Sequence, residues 1–248
     1  MYTKADLKNQ LHTIGVNQKG ALIVHLSYKA IGDVDGRADT VLDALSEYMA
    51  GGLLVLQGHT WRNVNADNPV MDALHTPTCV GICTELFRKR AGVLRSLHPT
   101  HSVLALGHGA EKLVSGEENL TSPAPEGGVY NKLWAQDAQI LLIGVNFIRN
   151  TFIHGIEEWD GATDTLSPTI ADYYVITPEG NRLHTPQYRH NARIGSDTFT
   201  KLEPLAIQKN ILTLGTFGDA TTRLMSTRAL RDLVAPLLEI DSNYLNRY

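Results

Sequence analysis

A chain of 248 residues with 43% hydrophobic and 19% charged residues can bury a substantial core, which excludes a disordered or low-complexity protein. The net charge of -4 and the lack of a long Lys/Arg run argue against nucleic acid as the main partner, whereas an acidic balance suits a cationic small molecule. The stretch Met1 to Asp6 lacks the apolar core of a signal peptide, and no run approaches the roughly 18 apolar residues of a membrane span, so a cytoplasmic protein without a membrane partner is expected.

Thr3 is placed to cap a first helix, with Leu7, Leu11 and Ile14 on one face and Gly15 at its end. Ala21 to Leu26 reads as a buried strand that opens into the glycine-punctuated turn Ser27 to Gly36. Ala38, Val41, Leu42, Leu45 and Met49 form a helical stripe stopped by Gly51-Gly52, and Leu53 to Leu56 follows as a second strand. This strand, helix, strand rhythm predicts an α/β sheet.

From Gly58 to Thr76 no period is evident, so a long irregular connection is expected there. Gly81 to Arg90 reads as a helix, Gly92 to His101 as a turn and Ser102 to Leu106 as a strand; Ser115 to Gly128 is a loop. Ile140 to Ile143 is a short buried strand, after which Thr151 starts a helix. Ala171 to Ile176 and Asn181 to Tyr188 are two strands turned by Pro178-Glu179-Gly180, a hairpin rather than a crossover. Leu212 to Gly215 is one more strand, and Thr227 to Leu238 an amphipathic helix. The expectation is α/β: a single mixed α/β domain over residues 1–248, a central sheet flanked by helices with an antiparallel hairpin appendage.

The nucleophile elbow, the Walker loop, the dinucleotide fingerprint and the His-Glu-x-x-His metal helix are all missing. Cys79 and Cys83 have no second pair and read as reduced thiols, and His98 and His101 flank a proline without an obvious third ligand, so no metal is expected. Two strand-end turns could hold phosphate: Ser27 to Gly36 with Lys29, and the turn bearing Arg95, Ser96 and Ser102. Each is equally readable as an ordinary connection. If Thr151 lies at a helix start, His154 and Glu157 share a face and can meet, and a carboxylate beside an imidazole fixes its tautomer and raises its basicity. The same spacing also serves a plain surface pair.

Arg95-Ser96-Leu97-His98-Pro99 with Ser102, Glu85 to Arg88 before it, and Leu141 to Val145 and Asn150-Thr151-x-x-His154-x-x-Glu157 after it, resemble the aminoglycoside 3-N-acetyltransferase family, whose fold is unrelated to the GNAT acetyltransferases. The resemblance spans nearly the whole chain, including Gly215 to Tyr244. It implies transfer of the acetyl group of acetyl-CoA to an amine. It puts His154 at the general-base position, Glu157 at the acidic position that orients it, and Thr151 beside them. Ser27, Tyr28, Lys29 and Gly32 fall on its coenzyme A loop. Arg95, Ser96 and Ser102 are further cofactor candidates.

Two departures stand out: Gly155-Ile156 replaces the more usual Leu-Ala, and Leu56 to Thr60 stands where a Met-Pro-Thr-like turn is common. Glu157, Glu158, Asp160, Asp164 and Asp172 follow the histidine closely enough to wall a polycation site, with Glu158 and Asp160 as the substrate-binding candidates. The expected partner is a small-molecule amine, with a homodimer left open. A different amine metabolite, a noncatalytic coenzyme A-binding protein and a hydrolase using His154 with a serine remain alternatives.

Overall fold

The computed structural model describes residues 1–191 and 196–247. Helix α1 (Lys4–Ile14) begins at Thr3, whose hydroxyl and Asp6 form a reciprocal capping box, and stops at Gly15. Leu7, Leu11 and Ile14 are its buried residues, as their spacing predicts. Burying each of them contributes roughly 1.5–3 kcal/mol. Strand β1 (Ala21–Leu26) is buried on both faces. Its Ala21 and Ile23 join one apolar cluster and its Leu22 and Val24 the other, as the two-residue period of a strand requires.

Helix α2 (Arg37–Tyr48) returns the chain to β2 (Leu53–Gln57), which pairs parallel to β1 with Ile23 opposite Val55. Next come β3 (Val70–Asp72), α3 (Ile82–Arg88), β4 (Leu94–Arg95), β5 (Val103–Gly107), α4 (Ala110–Val114) and α5 (Val129–Ala135). Strand β6 (Gln139–Ile143) then enters on the other side of β1, again parallel, with Ile140 opposite Ile23. After α6 (Phe152–Trp159) the chain forms β7 (Tyr174–Ile176), β8 (Arg182–His184), α7 (Leu202–Gln208), β9 (Thr213–Phe217), β10 (Ala220–Ser226) and α8 (Thr227–Ile240).

The seven strands of the main sheet lie in the order β4-β5-β2-β1-β6-β10-β9. Residues of α1, α2 and α3 cover one face, and residues of α4 to α8 the other. Strands β2 and β6 flank β1 on either side, and the helices that precede them, α2 and α5, lie on opposite faces, so the strand order reverses at β1. A crevice therefore opens beyond the carboxyl ends of these three strands, the usual place for a ligand in an α/β sheet. The predicted hairpin exists as β7 and β8, and it belongs to a second sheet of three strands in which β3 runs parallel to β7.

Several elements escape the sequence reading. The stretch from Gly58 to Thr76, expected to be irregular, contains β3, and the Gly92 to His101 turn contains β4. Helices α4, α5 and α7 hold 5, 7 and 7 residues, too few for a helical period to declare itself. Strand β10 reads as polar because Thr222 and Arg223 lie in it. It is nevertheless antiparallel to both β6 and β9, and Thr222 is wholly buried. No helix among the described residues is long and apolar enough to cross a membrane.

Candidate active site

Every strand of the central trio delivers side chains to the crevice. Ser27, Tyr28 and Lys29 follow β1, Gln57 ends β2 with His59 just beyond, and Val145, Ile148, Arg149, Thr151 and His154 follow β6. Together with Trp61, Arg62, Cys79 and Arg189 they line a cleft of about 760 Å³. The turn after β6 needs Gly144 at φ +63, since a Cβ there would come within 2.3 Å of the Ala30 Cβ.

Thr151 is the residue before α6, so His154 and Glu157 sit one turn apart on the same face. The His154 Nδ1 lies 2.6 Å from Glu157 Oε2. A carboxylate only accepts, so Nδ1 carries the proton and Nε2 is left as the free acceptor. Glu157 is 2% exposed and the His154 side chain 18%, the first locked in the protein and the second open to a ligand. Phe199 packs against the imidazole with ring centroids 5.0 Å apart.

A wall of further histidines stands behind His154. His190 stacks on it at 4.0 Å with a 32° tilt, and His101 meets both His190 and His59 at 4.9 Å. Burial and the neighbouring imidazoles push His59, His101 and His190 well below the usual histidine range, so they stand neutral. His25, pushed down to about 3 by burial, accepts from the Gln57 amide at 3.0 Å. His59 pairs with the Tyr130 hydroxyl at 3.1 Å, and Tyr130 in turn reaches Thr151.

On the other side of Glu157 lies a second cleft of about 800 Å³, lined by Ser122, Glu126, Glu157, Glu158, Asp164 and Thr165 among others. The two clefts have opposite charge. Among the described residues, Lys29, Arg62, Arg149 and Arg189 line the first with no carboxylate, whereas the second has four carboxylates and no cation.

The expected site residues divide accordingly. Ser27, Tyr28, Lys29, Thr151 and His154 line the cationic cleft, and Glu157 and Glu158 the acidic one. Arg95, Ser96 and Ser102 do not line either. Arg95 spends its donors on the Ser102 hydroxyl and on the carbonyls of Gly58 and Thr76, and Ser96 and Ser102 are wholly buried. That turn is an internal brace. Gly32 also lies outside the cleft: its φ of +83 lets the turn pass Asp219, whose Oδ2 would sit 2.0 Å from an added Cβ. Asp160 is held in a two-point ion pair by Arg231 of α8, at 2.8 Å on each oxygen, and so is turned away from the acidic cleft. Asp172 pairs with the exposed His184.

His98 and His101 hold a hydrogen-bonded corner. His98 Nε2 donates to the Ser122 carbonyl at 3.0 Å while its Nδ1 accepts from the Thr100 and His101 amides. Both cysteines are free thiols, and burial pushes Cys83 up to about 12. Position in the chain does not distinguish Arg189, His190 and Tyr130 as site residues, because the Arg189-His190 segment and the helix carrying Tyr130 reach the site from places remote from His154 in the sequence, whereas Asp164 does line the acidic cleft as expected.

The fold recurs in solved aminoglycoside acetyltransferases. AAC-IIIb in a binary complex with CoASH superimposes with a TM-score of 0.85 at 20% identity, over 96% of this chain and 97% of that one. A histidine-to-alanine mutant of AAC(3)-IVa in complex with a gentamicin does so with a TM-score of 0.86 at 23% identity, over 98% and 91%. The sequence profile of the aminoglycoside 3-N-acetyltransferases matches residues 23–239, and the chain belongs to that enzyme family. It is 30% identical to aminoglycoside N(3)-acetyltransferase IV of Salmonella over 96% of this chain and 86% of that relative.

Proposed function

We propose that this protein transfers the acetyl group of acetyl-CoA directly to an amine of an aminoglycoside, with His154 as the general base. The observation that carries the reading is the charge division. A cationic cleft and an acidic cleft meet at one His–Glu pair, the arrangement needed to bring a polyphosphate donor and a polycationic acceptor to the same point.

The residues of the first cleft fit coenzyme A. Lys29 and Arg149 are exposed cations at its rim, and none of its described lining residues is a carboxylate. Bound there, acetyl-CoA supplies an activated thioester. The chain's own residues then supply the proton handling. The amine must lose a proton as its nitrogen bonds to the carbonyl carbon and the carbon–sulfur bond breaks. His154 Nε2 takes that proton, and the buried Glu157 carboxylate stabilises the imidazolium through Nδ1. The thiolate leaves and is protonated in turn, which balances the reaction without a covalent enzyme intermediate. Thr151, beside the histidine in the cleft wall, offers its hydroxyl to the charge that develops on the carbonyl oxygen.

The test is release of free thiol from acetyl-CoA across a panel of aminoglycosides and simpler amines, with wild type and His154→Ala. Aminoglycoside-dependent release by wild type and a fall of about 10²- to 10⁴-fold in the variant are expected, with acetyl-CoA binding retained. Thiol release without any amine would instead indicate a hydrolase, and a wild-type rate in the variant would remove His154 from the reaction.

A further inference from the structure

Glu158 stands where a carboxylate of the acceptor cleft would bind an amine, yet its oxygens are already engaged. Oε2 accepts from the Ser122 hydroxyl at 2.5 Å and Oε1 from the Ala124 amide at 2.9 Å, and the side chain is 5% exposed. Oε1 also faces His190 Nε2 across 3.7 Å. That gap is longer than a hydrogen bond, and the buried His190 Nε2 has no nearer partner among the described residues. His190 in turn lies face to face with His154 at 4.0 Å. Two His–Glu pairs, His154–Glu157 and His190–Glu158, are thus stacked on each other. One contains the proposed base, and the other is anchored to the Ser122–Ala124 segment of the acceptor cleft.

We propose that His190 and Glu158 are positioning residues for acetyl transfer: His190 holds the plane of the His154 ring, and Glu158 places a second carboxylate behind it that favours the charged ring formed during the reaction. The inference rests on His154 being the base.

The surroundings support this. His154 is faced by Glu157 from its own helix, His190 and Phe199 from later segments, and His59 and His101 from the opposite wall. Those two histidines are neutral, so among the described residues Glu157 and Glu158 are the negative groups able to stabilise the charged ring. Glu158 itself faces Glu157, Glu117 and His190, and burial pushes its carboxyl up to about 7, where a positive charge on His154 pulls it back down. Its ionised form therefore gains when the ring becomes charged. Arg189, next in the chain to His190, disfavours a charge on His190, which keeps that ring a neutral spacer.

Four variants test the proposal with acetyl-CoA and a reactive aminoglycoside: Glu158→Gln, His190→Ala, His190→Phe and, as reference, His154→Ala. For Glu158→Gln, the acid limb of the kcat/KM profile should move down by about half to one pH unit, with kcat reduced about three- to tenfold and the amine KM unchanged. His190→Ala should lose about tenfold in kcat, and His190→Phe, which keeps a flat ring on His154, should recover most of it. Superposable acid limbs for wild type and Glu158→Gln, or a raised amine KM with kcat intact, would overturn the role of Glu158 and return it to amine binding. Equal rates for the two His190 variants would overturn the role of the stack. If Glu158→Gln does not fold, the His190 pair decides alone. If His154→Ala itself turns over, the base assignment fails, a result distinct from any of these.

Discussion

The two clefts that meet at His154 are built differently. The cationic one stands on the ends of β1, β2 and β6, whose side chains are part of the central core, and on turns that leave those strands directly. The acidic one hangs largely on loops, Ser122 to Glu126 and Ala162 to Pro168, with α6 contributing Glu157 and Glu158 at one edge. Under the proposed assignment, a rigid sheet suits the half that would hold an unchanging cosubstrate, and loops suit the half that would read the amine, because loops change without disturbing the core. The same division appears between the two candidate phosphate turns. Ser27 to Lys29 opens into the cleft, whereas Arg95 to Ser102 props up the wall beneath it.

The greatest effect is expected on that prop. Arg95 is pushed down to about 10 by burial, and its guanidinium bonds the Gly58 and Thr76 carbonyls, which flank the wall carrying Trp61 and Arg62. Arg95→Met leaves the Thr76 carbonyl without this donor and the Gly58 carbonyl with only the Ser102 hydroxyl, and should cost about 3–5 kcal/mol in urea unfolding. The acetyl-CoA KM of the folded enzyme should stay near wild type. A raised KM with stability intact would make Arg95 a cofactor ligand and erase the contrast between the two turns.

Buried groups should also respond to pH in opposite senses. His25, in the cationic cleft, and His98, which holds the Ser122 carbonyl, are pushed down to about 3 and about 4 by burial, so the unfolded chain takes up protons first and stability is lost as pH falls below the ordinary 6.5. Glu117, which accepts from the Val129 amide, is pushed up to about 7 from an ordinary 4.5 by burial. Here the folded protein holds its proton more tightly, so stability is lost as pH rises from about 4.5 through 7. Glu117→Gln should remove that loss, and its stability relative to wild type should improve by roughly 3 kcal/mol across this window, read from denaturant midpoints. A difference independent of pH would show that Glu117 is ionised in the fold throughout.

Smaller changes probe the charge division itself. Arg149→Glu should raise the acetyl-CoA KM about five- to tenfold and leave the amine KM alone. Asp164→Asn should do the reverse, by about threefold. Initial-rate kinetics in low salt would read both, and crossed effects would mean that the clefts had been assigned the wrong way round.

Much of this molecule is legible in its residues alone. Thr3 and Gly15 bound α1 because capping chemistry is local, β1 and β2 declare themselves by four-residue apolar runs, and the three-residue spacing of His154 and Glu157 becomes a 2.6 Å contact once Thr151 begins the helix. Where that reading fails, the cause is nonlocal. Nothing in the stretch Ala220 to Ser226 announces that Thr222 will lie buried in a strand between β6 and β9. Arg95 and Asp160 look free to bind ligands because their partners, the Gly58 and Thr76 carbonyls and Arg231, are remote in sequence.

The helix caps, the parallel core strands, the family and the His–Glu pair all follow from residue types at short fixed spacings, and so they can be read from the chain without its fold. Which charges face which cleft, and that His190 lies against His154, emerge with the folded molecule alone. Those facts depend on where separate loops converge over the strand ends, and the free energy of that convergence comes from packing between residues far apart in the chain.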